Sequence, residues 1–228
     1  MLRLFISSIV IASALVPVSA HAAGGGGGGG DAATEDDAAA LEAGAAEEIA
    51  AAGSAMDEFK KQHDVVQLLV KSKVPDQALQ EAVDQLLDYK AIANLALGGK
   101  NRADRRCEPR CAEFEELLAR LIRQNYLKRV RQADTGKVEY LGEEKRPRAS
   151  KVTTRVTFTN KDGASQQVEV AYVMHVVDGK WQVRDMITDG VSLAKNYRYE
   201  FGKILRDEGV DGLIARLETK LADLAKTE

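Results

Sequence analysis

The two cysteines are the first residues of this sequence that could do chemistry. Cys107 and Cys111 are separated only by Glu108-Pro109-Arg110. So short a loop can bring the two Cα atoms within disulfide range, and the export signal described below predicts an oxidising compartment. We therefore predict a Cys107–Cys111 disulfide, which closes a small loop and stabilises the fold only modestly. A metal site would need further ligands than C-x-x-x-C supplies.

The remaining candidates for catalysis are two histidines and two acids. His63 and His175 have no cysteine or acid at a metal-ligand spacing. Glu169 and His175 share a predicted strand face, but six residues of strand place them about 20 Å apart, too far for a dyad. Asp185 could face inward as a general base, or it could be an acid hydrogen-bonded to backbone near a strand end. No hydrolase, zinc-protease or phosphate-loop motif occurs, so we predict no catalytic residue, no metal and no cofactor.

The first 22 residues predict export. Arg3 precedes the apolar run Leu4–Val16, and Ala20-His21-Ala22 forms a small-x-small cleavage site. The apolar run is too short for a membrane span, although a retained signal anchor is the alternative. We expect a signal peptide over residues 1–22, cleaved after Ala22, and a soluble exported protein.

Residues 23–54 are predicted to be a disordered glycine linker followed by an acidic, alanine-rich arm. Seven consecutive glycines, Gly24–Gly30, precede a segment, residues 31–50, with seven acids and no base. Such a segment has too little apolar bulk to offset the entropy of ordering. Its deletion is therefore expected to leave the melting temperature unchanged. With these acids set aside, the net charge of −3 leaves only a mildly basic remainder, which gives no case for nucleic-acid binding.

Residues 55–228 suit one domain. Apolar residues at helical spacing predict helices over residues 56–70, 77–86 and 89–97, the last capped by Asp88 and stopped by Gly98-Gly99. A long helix follows, with Pro109 at its first position and an apolar stripe from Phe114 to Val130. The basic loop between these helices is either simply solvated or a docking patch for an acidic partner or a phosphate head group. Its arginines are Arg102, Arg105, Arg106 and Arg110.

After Gly136 the apolar period changes to two, which predicts a four-stranded antiparallel meander with one apolar face. Asp178-Gly179 fits the hairpin between the third and fourth strands. In the fourth strand Trp181, Val183, Asp185 and Ile187 alternate. Two helices follow, capped by Ser192 and Asp211 and separated at Gly209. Helices, then a meander, then helices predict an α+β fold, whose interior is either a filled core or a ligand cavity.

The block from Trp181 to Lys220 carries a set of short motifs. They are the W-x-V-x-D strand, the G-V-S-L turn at 190–193, the N-Y-R-x-x-F helix at 196–201 and G-x-D-G-L-I-x-x-L at 209–217. This block closely resembles the C-terminal half of the MlaC family, periplasmic phospholipid-binding components of the Mla-type ABC lipid transport system, also called toluene-tolerance auxiliary proteins. Weaker similarity upstream extends the resemblance over about residues 56–225. The acidic arm and the arginine-rich cysteine loop depart from the family pattern.

The resemblance implies an NTF2-like cone around an apolar cavity that holds the acyl chains of a phospholipid. It implies a soluble periplasmic carrier that shuttles lipid between an outer-membrane lipoprotein complex and an inner-membrane ABC transporter with its substrate-binding subunit, and so maintains outer-membrane lipid asymmetry. The bound phospholipid would be cargo, and no enzyme activity is implied. The alternatives are an NTF2-like periplasmic enzyme with Asp185 as its base, or a solid-core binding or scaffold protein. The predicted lipid-binding residues are Tyr126, Val152, Val156, Phe158, Val168, Val170, Tyr172, Met174, Val183, Tyr197 and Phe201.

Overall fold

The computed structural model describes residues 35–72, 74–132, 137–159 and 163–226. The predicted signal peptide and glycine run lie outside these residues. The helices are α1 (Glu35–Ala52), α2 (Ala55–Lys71), α3 (Asp76–Leu86), α4 (Tyr89–Ala96), α5 (Lys100–Cys107), α6 (Cys111–Gln132) and α7 (Leu193–Ala225). The strands are β1 (Lys137–Arg146), β2 (Ala149–Thr159), β3 (Ser165–Val177), β4 (Lys180–Thr188) and β5 (Val191–Ser192).

The strands form one antiparallel sheet in the order β1-β2-β3-β4-β5. The α+β prediction is confirmed, but the sheet has five strands rather than the predicted four. The fifth is a two-residue strand that pairs Val191 with Thr188 and Ser192 with Ile187. So short a strand carries no alternation that a sequence pattern could reveal. At the β3–β4 hairpin Asp178 and Gly179 have φ of 50° and 75°, as the predicted primed turn requires.

The predicted alternation of β4 is wrong beyond Val183, because the strand contains a bulge. Val183 pairs with Met174, whereas Asp185 pairs with Val173, so Arg184 is an extra residue. One extra residue moves everything beyond it to the other face of the sheet. Met186, paired with Tyr172, therefore shares the apolar face with Val183, and Asp185 does not.

The helices cover the apolar face of the sheet. From α2, the fully buried Phe59 packs its ring 4.3 Å from the ring of Tyr172. In the apolar stripe of α6, the residues from Phe114 to Leu127 are buried and Val130 is half-buried, because only one face of the helix meets the core. Trp181 at the start of β4 is also fully buried and donates its indole N–H to the carbonyl of Gly53, 3.2 Å away.

Local hydrogen bonds fix the helix ends that the sequence predicted. The Asp88 carboxylate accepts from Ala91 N at 2.8 Å and begins α4, and Ser192 Oγ accepts from Lys195 N at 3.1 Å and begins α7. Gly209 has non-helical backbone angles, φ 69° and ψ −169°, so α7 consists of two helices that meet at a kink, at the residue where the sequence predicted their separation.

Two predictions of irregular structure are wrong. The basic loop contains helix α5, because Ala103 and Cys107, one turn apart, bury a narrow apolar stripe. The acidic arm is not wholly disordered: its C-terminal part lies in α1, where Ile49 and Ala52 pack against the core. The long helix begins at Cys111, so Pro109 precedes it instead of taking its first position.

Cys107 and Cys111 are joined by a disulfide between the last residue of α5 and the first of α6, with Cα atoms 4.6 Å apart. Among the described residues no three metal-ligating side chains cluster. Within the same residues no helix is long and apolar enough to cross a bilayer.

Candidate functional site

The predicted wall residues of β2, β3 and β4 all lie on the helix-facing side of the sheet. Cross-strand pairs join Val152 with Tyr172, Val156 with Val168, and Met174 with Val183. Val170 and Phe158 follow in the same alternation, opposite Thr154 and Gln166. Since side chains alternate between faces along a strand, these residues form one continuous apolar surface.

Burial divides this surface into two ends. At the inner end Val152, Met174 and Val183 are fully buried, and Tyr172 is almost so. At the outer end the predicted wall residues remain half-buried: Val156, Phe158, Val168 and Val170. The outer end is therefore an apolar surface that the protein's own helices cover only in part.

Two of the helix candidates pack together on the inner side of α7. The rings of Tyr197 and Phe201 stack with centroids 5.1 Å apart, and Phe114 of α6 meets Phe201 edge to face at 5.8 Å. Burial raises the pKa of Tyr197 to about 12, so the ring enters the interior as a neutral phenol. These side chains make the helix side of the interior aromatic.

Tyr126, the third helix candidate, carries a polar atom into the interior. Its hydroxyl is buried and has no hydrogen-bond partner among the residues that the structure describes. Burial raises its pKa well above the usual value, with smaller contributions from Tyr172, Tyr89 and Tyr140. A buried hydroxyl without a partner costs about 1–3 kcal/mol, so this group would gain from a bound polar atom.

Phe59 and Met186 belong to the same interior, although neither was among the predicted residues. The apolar spacing of α2 marks Phe59 as buried, but nothing in the sequence brings its ring to Tyr172. Met186 was missed because the bulge at Arg184 reverses the face it occupies. A bulge leaves no periodic signal in a single sequence.

A cavity of about 380 Å³ lies at another place, beneath the C-terminal end of α1. Its lining mixes Ile49 and Trp181 with polar groups, and no predicted lipid-binding residue contributes to it. The most buried of the charged groups there, Glu143, is already engaged: it accepts from Ser150 Oγ at 2.6 Å, Ser54 Oγ at 3.0 Å and Met56 N at 3.2 Å. The cavity therefore lies where α1, α2 and the β1–β2 hairpin meet, and its polar groups hold these elements together.

The comparisons with known proteins assign a family. The family model described as "MlaC protein" matches residues 60–219, most of the chain. The chain belongs to the MlaC family. A solved structure of a phospholipid-binding protein from Ralstonia solanacearum, in complex with a phospholipid, superposes with a TM-score of 0.63 at 22% identity. The match covers 76% of this chain and 99% of that one, and it establishes a shared fold.

The MlaC-like block from Trp181 onward folds around Asp185. The carboxylate accepts hydrogen bonds from Ser192 Oγ at 2.6 Å, Met186 N at 2.9 Å and Ala194 N at 3.0 Å. It therefore ties β4 to the first turn of α7, on the face of the strand opposite Val183. All three donors belong to the strand and to the start of the helix, which favours the acid hydrogen-bonded to backbone over the general base.

The two histidines of the domain also have structural partners in this MlaC fold. His175 Nε2 lies 2.9 Å from Asp88 Oδ2, the carboxylate that begins α4. His63 Nδ1 lies 2.9 Å from the Tyr140 hydroxyl, and burial lowers the pKa of His63. Glu169 is exposed on the opposite side of the sheet from the apolar surface. The structure does not bring these groups together with Asp185 at one site.

Proposed function

We propose that this protein is a soluble phospholipid carrier of the bacterial periplasm. The family match over residues 60–219 carries the proposal, and the apolar face of the sheet supplies the surface that a carrier needs. The Ralstonia solanacearum protein of the same fold is described as phospholipid-binding. We infer that the cargo here is also a phospholipid and that the sheet and helices form the NTF2-like cone implied by the resemblance.

The energetics define what such a carrier must do. Each buried CH₂ contributes about 0.8 kcal/mol, so two acyl chains of about fifteen carbons cost on the order of 25 kcal/mol to expose to water. Apolar contacts must offset nearly all of this. The half-buried outer end of the sheet is the part of the interior that bound chains would cover, and the Tyr126 hydroxyl is a donor that an ester oxygen would satisfy.

The proposed role requires binding rather than catalysis. Hydrophobic contact is weakly directional, so we expect low head-group selectivity. In this proposal the signal peptide over residues 1–22 exports the chain, which then carries lipid between an outer-membrane lipoprotein complex and the substrate-binding subunit of an inner-membrane ABC transporter. Maintenance of outer-membrane lipid asymmetry would be the result.

Lipid content tests the proposal directly. The mature protein, purified without detergent, is extracted with organic solvent and its phospholipid is quantified by mass spectrometry. We expect about one phospholipid per protein, and uptake of labelled phospholipid from vesicles by the emptied protein. A preparation with no phospholipid and no uptake would rule out the carrier.

A matched pair of substitutions on β3 locates the cargo. Val168 faces the helices, and its neighbour Gln167 points to the other side of the sheet. Val168→Glu places a charge where acyl chains should lie, so bound phospholipid should fall at least tenfold. Gln167→Glu adds the same charge outside and should leave the lipid content unchanged. If both variants carry lipid equally, the cargo does not contact this face.

A further inference from the structure

Three arginines from two helices converge on the turn that ends α4. A Cβ atom built on Gly98 would lie 3.5 Å from Arg102 Cδ, 3.5 Å from Arg198 Nε and 3.7 Å from Arg106 Nη1. Arg102 and Arg106 are one turn apart on α5, and Arg198 lies on α7. These are ordinary van der Waals distances, so the three side chains lie directly over the Gly98 backbone, whose φ of 99° favours glycine.

This cluster has no counter-charge among the described residues. None of the ion pairs in that part of the chain includes Arg102, Arg106 or Arg198. Arg106 donates instead to the carbonyl of Leu97 at 3.1 Å. Like charges around one point repel each other, so an anion bound there would lower the free energy of the folded protein.

Some other arginines of the domain have carboxylate partners. Arg110 pairs with Glu113 and Asp211, and Arg123 pairs with Asp84 through two hydrogen bonds of 2.7 and 2.9 Å. Arg110, although part of the same arginine-rich segment, is thus held by its own acids. The three arginines at Gly98 differ from these two because none of them pairs with a carboxylate among the described residues. Arg106 keeps part of its guanidinium for a ligand, and Arg102 and Arg198 keep all of theirs.

Two exposed apolar side chains are close in sequence to members of the cluster. Tyr199, which follows Arg198 on α7, is 75% exposed, and Leu95, one turn before Gly98 on α4, is 37% exposed. Cations beside an aromatic ring and an aliphatic side chain match the boundary between lipid head groups and acyl chains. An acidic protein would be matched by the charges alone and would give no reason for Tyr199 and Leu95 to face solvent.

We propose that Arg102, Arg106 and Arg198, with Leu95 and Tyr199, form a Gly98 patch that docks the protein on an anionic phospholipid bilayer. The guanidinium groups bind lipid phosphates through paired N–H donors, and Tyr199 and Leu95 enter the head-group layer. The inference rests on the proposed carrier function. It adds to that function a direct contact with the membrane surface, which places the helix bearing Tyr197 and Phe201 against the bilayer.

Vesicle sedimentation tests the patch. The full mature protein is mixed with vesicles of phosphatidylglycerol or of phosphatidylcholine at low salt. We expect binding to phosphatidylglycerol alone, and loss of it at high ionic strength, because salt screens surface charges. Each arginine near an anionic surface contributes about fivefold to binding, so Arg102→Gln with Arg198→Gln should weaken it about 25-fold.

Two further variants separate charge from folding. The control, Lys71→Gln with Lys137→Gln, makes the same charge change at two exposed sites distant in sequence from the patch and should bind within about twofold of the unaltered protein. Arg102→Lys with Arg198→Lys keeps the charge but loses the paired donors, so its binding should lie between that of the unaltered protein and that of the double Arg→Gln protein. The melting temperature of every variant is measured in parallel. Equal weakening by the arginine and lysine charge removals would overturn the patch.

The remaining outcomes distinguish the partner and the cargo site. If the double Arg→Gln protein binds vesicles normally but loses binding to a polyglutamate peptide, the surface serves an acidic protein and the bilayer proposal is overturned. If the variant loses vesicle binding and also fails to retain phospholipid loaded from detergent, the arginines belong to the cargo site, which also overturns docking. A wild-type protein that contains no phospholipid, takes none up from vesicles and still binds phosphatidylglycerol through these arginines would reject the carrier and support the patch.

Discussion

Asp185 illustrates how much of this site depends on single side chains. Its carboxylate receives three donors from β4 and from the start of α7, and thereby sets the direction in which α7 leaves the sheet. The rings of Tyr197 and Phe201 follow on that helix. A residue that looks like a buried base in the sequence therefore positions the aromatic side of the interior.

Asp185→Asn should lower the stability of the protein. Because Asp185 acts as a structural acceptor and not as a general base, we expect no loss of a catalytic activity. An amide oxygen accepts less strongly than a carboxylate, and one of the three donors would face an NH₂ group. We expect the free energy of unfolding to fall by about 2 kcal/mol, measured by urea denaturation. Asp189→Asn is the control: Asp189 is exposed and accepts one weaker bond, from Glu169 N at 3.2 Å, so its loss should cost under about 0.5 kcal/mol. Equal stability of the two variants would contradict this role.

Helix caps could be predicted from the sequence, whereas interactions across the sheet could not. Asp88 and Ser192 could be predicted as helix caps because a cap depends on the few residues that follow it. The partners of Asp185 could not, because the bulge at Arg184 decides which way it points. The unpartnered hydroxyl of Tyr126 could not be predicted either, since an amphipathic pattern places a ring inside without saying what its polar atom meets.

At the scale of elements, strong periodicity predicted the long structures and missed the weak ones. The strands β2 to β4 and helix α6 each bury apolar side chains at regular spacing, which gives a clear repeat of two or of 3.6 residues. Helices α5 and α1 depend on two apolar contacts each among the described side chains, Ala103 with Cys107 and Ile49 with Ala52. Such short stripes are hidden by the charged and small residues around them.

Helix α1 changes the prediction for deletion of the acidic arm. The sequence alone predicts an unchanged melting temperature, whereas the structure predicts a small decrease. Deleting residues 23–50 removes Ile49 and the turn that precedes Gly53, whose carbonyl accepts from Trp181. Loss of one half-buried isoleucine contact is worth about 1 kcal/mol, which should lower the melting temperature by roughly 2–4 °C in a domain of this size.

Deletion of residues 23–43 is the matched control for that experiment. It removes most of the acids but keeps Ile49 and Ala52, so the melting temperature should not change. Differential scanning calorimetry on both truncated proteins compares the two contributions. An equal drop in both would mean that the acidic part, rather than the Ile49 contact, stabilises the domain.

At the scale of the whole molecule, the fold combines a well-packed inner end with an outer end that is apolar and only half covered. Val152, Met174 and Val183 leave no part of their surface to solvent, whereas Val156, Phe158, Val168 and Val170 do. The inner end suffices to hold the sheet against the helices. The outer end is then free to exchange protein–water contacts for contacts with a ligand, and the stability of the molecule should depend on that exchange.

Removal of bound lipid should therefore lower the melting temperature, and the size of the decrease should depend on the apolar residues at the outer end. A ligand that binds only the folded state at one hundred times its Kd stabilises by about 2.7 kcal/mol, or roughly 5–10 °C in a domain of this length. We expect the emptied protein to melt lower than the loaded protein by that amount, and reloading from phosphatidylethanolamine vesicles to restore the difference. Val168→Glu, whose charge excludes acyl chains, should show little change on loading, whereas Gln167→Glu should respond like the unaltered protein. A loaded protein that melts at the same temperature as the emptied one would place the lipid outside the folded domain.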